Sequence, residues 1–76
     1  MTGICKFFDY HGHFGFIETE GGEFWFHGSN VIGPIPPRYG QVEFLLADGE
    51  RPGELVAVDV RRIEDEKERL KRRVLK

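Results

Sequence analysis

The chain holds one cysteine, one methionine and one tryptophan in 76 residues. A lone cysteine, Cys5, closes no internal disulfide, so packing must hold the fold together. It also favours a reducing compartment, and the expected location is the cytoplasm. No apolar run approaches the ~18–20 residues of a membrane-spanning helix. The opening Met1-Thr2-Gly3-Ile4 lacks the basic-then-apolar pattern of a secretory leader. No membrane partner is expected. Excess positive charge is missing as well: the net charge is −2, which argues against a polyanion such as nucleic acid held by charge alone.

The charge that is present is unevenly spread. Residues 1–63 carry five basic side chains (Lys6, Arg38, Arg51, Arg61, Arg62) against nine acidic ones, a balance of −4. Residues 64–76 carry six basic and four acidic side chains, a balance of +2. That last stretch has no Gly or Pro and is rich in good helix formers, with acids leading and bases following. It reads as a charged tail, either a short helix or disordered, following one domain over residues 1–63. A domain of that size is marginal and needs tight packing or a closed sheet.

Strand signals fill the domain. Residues 2–8, 14–19, 23–27, 41–47 and 55–61 each alternate or are rich in β-formers, and Gly-rich turns separate most of them. Glu20-Gly21-Gly22-Glu23 reads as a tight hairpin between the second and third. Residues 28–40 hold Gly33, Pro34, Pro36, Pro37 and Gly40, which bar regular structure over most of a long loop, and such loops are often functional. In the fourth strand Val42, Phe44 and Leu46 alternate with Glu43. In the fifth, Val56, Val58 and Val60 are expected on one face and Leu55, Ala57, Asp59 and Arg61 on the other. The class is all-β, a small barrel or sandwich.

Aromatic residues are what the chain has in plenty. Eight of its ten lie between Phe7 and Phe26. They concentrate in His13-Phe14-Gly15-Phe16-Ile17 and Phe24-Trp25-Phe26-His27. Alternation puts Phe14 and Phe16 on one face of one strand and Trp25 and His27 on one face of the next. Paired, the strands would line up four flat groups. Some rings must build the core, and alternation alone leaves open which face that is. Rings on an outer face suit unpaired bases, whose stacking is worth ~1–3 kcal/mol each whatever the sequence.

These segments carry a family resemblance. Gly3-Ile4-Cys5-Lys6-Phe7-Phe8-Asp9 resembles the opening Gly-x-Val-Lys-Trp-Phe-Asn of cold-shock domains. His13-Phe14-Gly15-Phe16-Ile17 resembles their first ribonucleoprotein motif, Lys-Gly-Phe-Gly-Phe-Ile, and Phe24-Trp25-Phe26-His27 resembles the second, Val-Phe-Val-His. Gly40-Gln41-Val42-Glu43-Phe44 is similar to the opening of their fourth strand. The resemblance implies a five-stranded antiparallel OB-fold barrel over residues 1–63 that binds single-stranded RNA or DNA, as an RNA chaperone or a regulator of transcription or translation. It implies a stacking platform of Phe7, Phe8, Phe14, Phe16, Trp25 and His27, with Lys6 contacting a phosphate or base. It turns Ile17, Phe24 and Phe26 inward. The sequence departs from the pattern where Gly12 replaces a lysine, His13 a glycine, and Gly28 a position often held by phenylalanine. The alternative function is a protein-interaction module on the same barrel, suited to the acidic body.

His11, His13, His27 and Cys5 lack the spacing of a structural metal site, and neither metal nor other cofactor is expected. No nucleophile elbow, phosphate loop or metalloprotease motif occurs, so neither an enzyme nor a small-molecule substrate is expected. A monomer is compatible with these features, as is a strand-exchanged dimer.

Overall fold

The structure, a computed structural model, describes residues 1–63. The charged tail of residues 64–76 lies outside the described residues. Five strands form one antiparallel sheet: β1 (Thr2–Asp9), β2 (Phe14–Thr19), β3 (Gly22–His27), β4 (Gln41–Asp48) and β5 (Leu55–Arg62). The hydrogen-bonded order is β3-β2-β1-β4-β5. The two outermost strands of that order, β3 and β5, approach one another. Each observed strand contains the stretch expected from sequence and exceeds it by at most one residue. Among the described residues no helix is long and apolar enough to cross a membrane.

Turn chemistry fixes the meander β1-β2-β3. After β1 the Asp9 carboxylate accepts the backbone N–H groups of His11 at 2.9 Å and Gly12 at 3.2 Å, an Asx turn that reverses the chain. Between β2 and β3, Thr19 pairs with Gly22. The Thr19 hydroxyl donates to the Gly22 carbonyl and accepts from the Gly21 N–H. Gly22 has φ +124°, which only glycine adopts without strain. The register Phe14↔His27, Phe16↔Trp25, Glu18↔Glu23 then follows.

Residues 28–40 are less empty than their prolines suggest. Gly28–Asn30 form a single 3₁₀ turn capped by His27. Val31 bridges to Val60 in parallel, and Ile32 N–H donates to the Val60 carbonyl at 2.8 Å. At the far end Tyr39 N–H donates to the Cys5 carbonyl at 2.7 Å, and Cys5 N–H donates to the Gly40 carbonyl at 2.9 Å. The loop is thus tied to β5 at one end and to β1 at the other.

The core consists of Cys5, Ile17, Phe26, Val42, Phe44, Ala57 and Val60, with Phe8, Phe24, Val31 and Leu46 packed against it. In β4 the expected alternation holds: Val42 and Phe44 are buried and Leu46 packs inward. Ile17 and Phe26 are fully buried, and the Phe24 ring meets Phe44 at 6.1 Å. In β5 the expectation of three valines on one face is corrected. Ala57 and Val60 are the buried pair, three residues apart, while Val56 and Val58 are only partly buried. The cause is a bulge. Glu43 pairs with Arg61 but Leu45 pairs with Val58, so β5 carries one residue more than β4 there. Asp59 absorbs it with φ +51°. An extra residue in one strand reverses the alternation beyond it.

Cys5 sits in the middle of this core, fully buried. Burial pushes its thiol pKa up, because a thiolate there would lose its hydration. A thiol reagent at neutral pH is therefore expected to label native protein very slowly and denatured protein at once. Equal rates would place Cys5 outside the core.

Candidate nucleic-acid interface

A second bulge shapes β1. Cys5 pairs with Ile17 and Phe7 pairs with Phe16, so Lys6 is the extra residue. Cys5 points into the core. Phe7, opposite the outward Phe16, points away from it. Without the bulge Phe7 would share the face of Cys5. The aromatic face therefore spans three adjacent strands: Phe7 on β1, Phe14 and Phe16 on β2, Trp25 and His27 on β3.

The rings form one contiguous patch. Phe7 lies 5.5 Å from Phe16 and 6.3 Å from Phe14 between centroids. Phe14 lies 6.1 Å edge-on from Phe16 and stacks with Trp25 at 6.4 Å and 25°. Trp25 continues to His27 at 6.0 Å. Both Phe7 and Trp25 keep 37% of their surface exposed although each has ring neighbours. Aromatic neighbours at such distances hold one another in place, and Phe7 and Trp25 still keep more than a third of their surface open.

Phe8 is the expected platform residue that the structure does not bring to this face. It pairs with Gly15, on the inner side of β1, and stacks with buried Phe26 at 5.8 Å and 28°. Sequence placed Phe7 and Phe8 together, but two consecutive residues of a regular strand cannot share a face. Phe8 instead supports the β1–β2 turn, meeting Tyr10 at 5.0 Å and His13 at 5.7 Å.

His13 is the ring that sequence reasoning left out. It has φ +58° and lies 5.1 Å from His27. Its ring fills the space that a Cβ at Gly28 would take, which would approach within 2.6 Å of Cε1. The two departures from the motif pattern, His13 and Gly28, are thus one exchange in space: a ring enters from β2's leading end where position 28 has none. His27 is held from behind. The Ser29 N–H donates to its Nδ1 at 3.1 Å, and the Ser29 hydroxyl lies 2.8 Å from the same nitrogen. With Nδ1 accepting, the neutral ring carries its proton on Nε2.

Lys6 is not free. Its ammonium donates to Glu23 at 2.7 Å and lies 4.0 Å from Glu18. The hydrogen bond and charge of Glu23, with Glu18 adding to them, push its pKa up. Sequence could not show this, since Lys6 and Glu23 stand on strands separated by β2. On the other side of Trp25 a groove is lined by Asp48, Gly49, Glu50, Arg51, Glu54 and Val56, with three carboxylates against one guanidinium. The aromatic face is therefore bordered by acid at two places.

No protein-family model matches the sequence, and no curated protein matches it.

Removing the Glu23 carboxylate should free the Lys6 ammonium and lift a repulsion. If a phosphodiester strand lies on this face, Glu23→Gln should tighten its binding by about threefold at low salt, with the gain fading by about 0.3 M salt. A variant that binds no better in a salt titration would show that the ligand never approaches Lys6.

Proposed function

We propose that this protein binds single-stranded RNA or DNA by stacking unpaired bases on Phe7, Phe14, Phe16, Trp25 and His27. The observation that carries the reading is the contiguous patch of rings turned outward on β1, β2 and β3. A flat apolar face with a polar border suits a base, which has a π-face whatever its identity. The acid at the border disfavours a duplex, whose dense phosphates would meet Glu18, Glu23 and the β4–β5 turn.

The approach of β3 to β5 and the Val31–Val60 bridge support a closed OB-type barrel, and the motif order supports a cold-shock-like domain within it. Such a protein acts without fuel. Binding a strand but not a duplex pulls structured RNA toward its open form by mass action, which is the work of an RNA chaperone or of a regulator of transcription or translation in the cytoplasm.

The test is a fluorescence titration. Trp25 is the sole tryptophan and lies in the patch, so stacking oligothymidine should quench it, while a matched duplex leaves the signal unchanged. No quenching and no binding by an independent method would remove the proposal. A second reading, a protein-interaction module, draws on the neutralised Lys6 and the acidic groove beside Trp25. It gains if Trp25 is silent to nucleic acid but responds to a basic peptide.

A further inference from the structure

The strained segment at the end of the β3–β4 loop points to where the phosphates go. Tyr39 adopts φ +66°, a conformation that an L-residue with a bulky side chain rarely takes. The strain is held by three backbone bonds: Tyr39 N–H to Cys5, Cys5 N–H to Gly40, and Gly40 N–H to Pro37 at 2.9 Å. Pro36 is buried and Pro37 precedes Arg38 directly, so the approach to this corner is stiff. Yet its product is a ring that stays 66% exposed. Strain retained to present an exposed side chain is more common at binding sites than elsewhere.

What Tyr39 presents is Arg38. The guanidinium carbon sits 5.1 Å from the Tyr39 ring centroid, a cation–π seat that limits where the charge can swing. No carboxylate among the described residues lies within ion-pair distance of it, the acids of the face being engaged with Lys6. The pair also borders the right surface. The bonds of Tyr39 and Gly40 to Cys5 run along the edge of β1 away from β2, so this corner flanks the strand that carries Phe7. The opposite border, beside Trp25, is the acidic β4–β5 turn. A strand with its bases on the rings meets repulsion on the β3 side and a preset, open guanidinium on the β1 side.

We infer that Arg38, positioned by Tyr39, makes a phosphate contact in place of the phosphate or base contact that the family resemblance implies for Lys6, and that the bound strand leaves the aromatic face across β1 toward this corner. The ligand group is a phosphodiester of a single strand, and the planar fork of Arg suits its oxygens. The inference rests on the stacking reading of the patch.

The experiment compares wild type, Arg38→Ala, Tyr39→Asn, Tyr39→Phe and Phe16→Ala, each titrated with oligothymidine over a range of salt and with its uncharged methylphosphonate analogue. One lost phosphate contact on a single strand lowers the log–log salt slope by about 0.7. Arg38→Ala is expected to show that loss and about fivefold weaker binding at low salt, with the uncharged analogue bound as before. Tyr39→Asn, which accepts positive φ, should weaken binding in the same direction. Tyr39→Phe keeps the ring and should match wild type. If Arg38→Ala keeps the wild-type slope and affinity while Phe16→Ala weakens binding, the Arg38 assignment falls and the stacking platform stands. If wild type binds neither oligomer, both fall together.

Discussion

Phe16→Ala is expected to weaken oligothymidine binding by between about fivefold and about 150-fold, the range that ~1–3 kcal/mol per stacked base implies. Phe16 is the central ring. It touches Phe7 at 5.5 Å and Phe14 at 6.1 Å, and its strand partner is Trp25. Its removal deletes one stacking surface and lets Phe7 and Phe14 lean into the gap. It lies on the outer face, away from Ile17 and Phe26, so the fold should survive with a modest fall in Tm. The two effects separate cleanly: far-UV circular dichroism reports the sheet, and Trp25 quenching reports the ligand. A variant that stays folded and binds within twofold of wild type would show that the rings are not the platform. Loss of salt dependence is not expected here, since Phe16 carries no charge.

Phe26→Ala should act in the opposite way, on stability first. Phe26 is fully buried. It stacks on Phe8 from one side, and its ring edge lies where a Cβ at Gly15 would come within 2.7 Å. Gly15 is therefore glycine to admit this ring beneath β2, and the ring fills the space with little slack. Truncating a buried Phe to Ala costs about 3–5 kcal/mol. A chain of 76 residues has a total stability of about 4–11 kcal/mol at ~0.05–0.15 kcal/mol per residue. The variant is then expected to lose at least about 12 °C of Tm, given ~4–8 °C per kcal/mol in a domain this small. Urea unfolding followed by Trp25 fluorescence measures it. A loss under about 1.5 kcal/mol would contradict the packing around Phe26.

How far the sequence foretold this follows from which forces are local. Strand positions were legible because alternation and turn residues act within a few residues of one another, as Thr19 and Gly22 do at their hairpin. Which residues of β2, β3 and β4 share a face was legible because those strands keep strict alternation, and the resemblance supplied which face of β2 and β3 turns inward. The face of β5 was not, because Asp59 adds a residue whose only sign is a positive φ. Phe8 was misplaced because the motif match treats Phe7 and Phe8 alike, whereas a pleated strand separates them. The pairing of Lys6 with Glu23 joins strands that are not neighbours in hydrogen bonding, and the seat of Arg38 on Tyr39 depends on backbone bonds to Cys5. Both are tertiary facts. The exchange between His13 and Gly28 was visible as two separate departures, and only the fold showed that one ring fills the other's space.

The bulges at Lys6 and Asp59 also bear on how this chain can change length. A deletion inside a regular strand turns every later side chain over, so strands seldom lose single residues. Here β1 and β5 each carry one residue outside the ladder. Without Lys6, Cys5 would still meet Ile17 and Phe7 would still meet Phe16. Without Asp59, Val60 would fall opposite Phe44 between the existing partners Leu45–Val58 and Glu43–Arg61. At these two positions, a loss that would scramble any other part of β1 or β5 leaves core and rings in phase, and the lineage of such a sheet can gain or shed a charge without rewriting the strand around it.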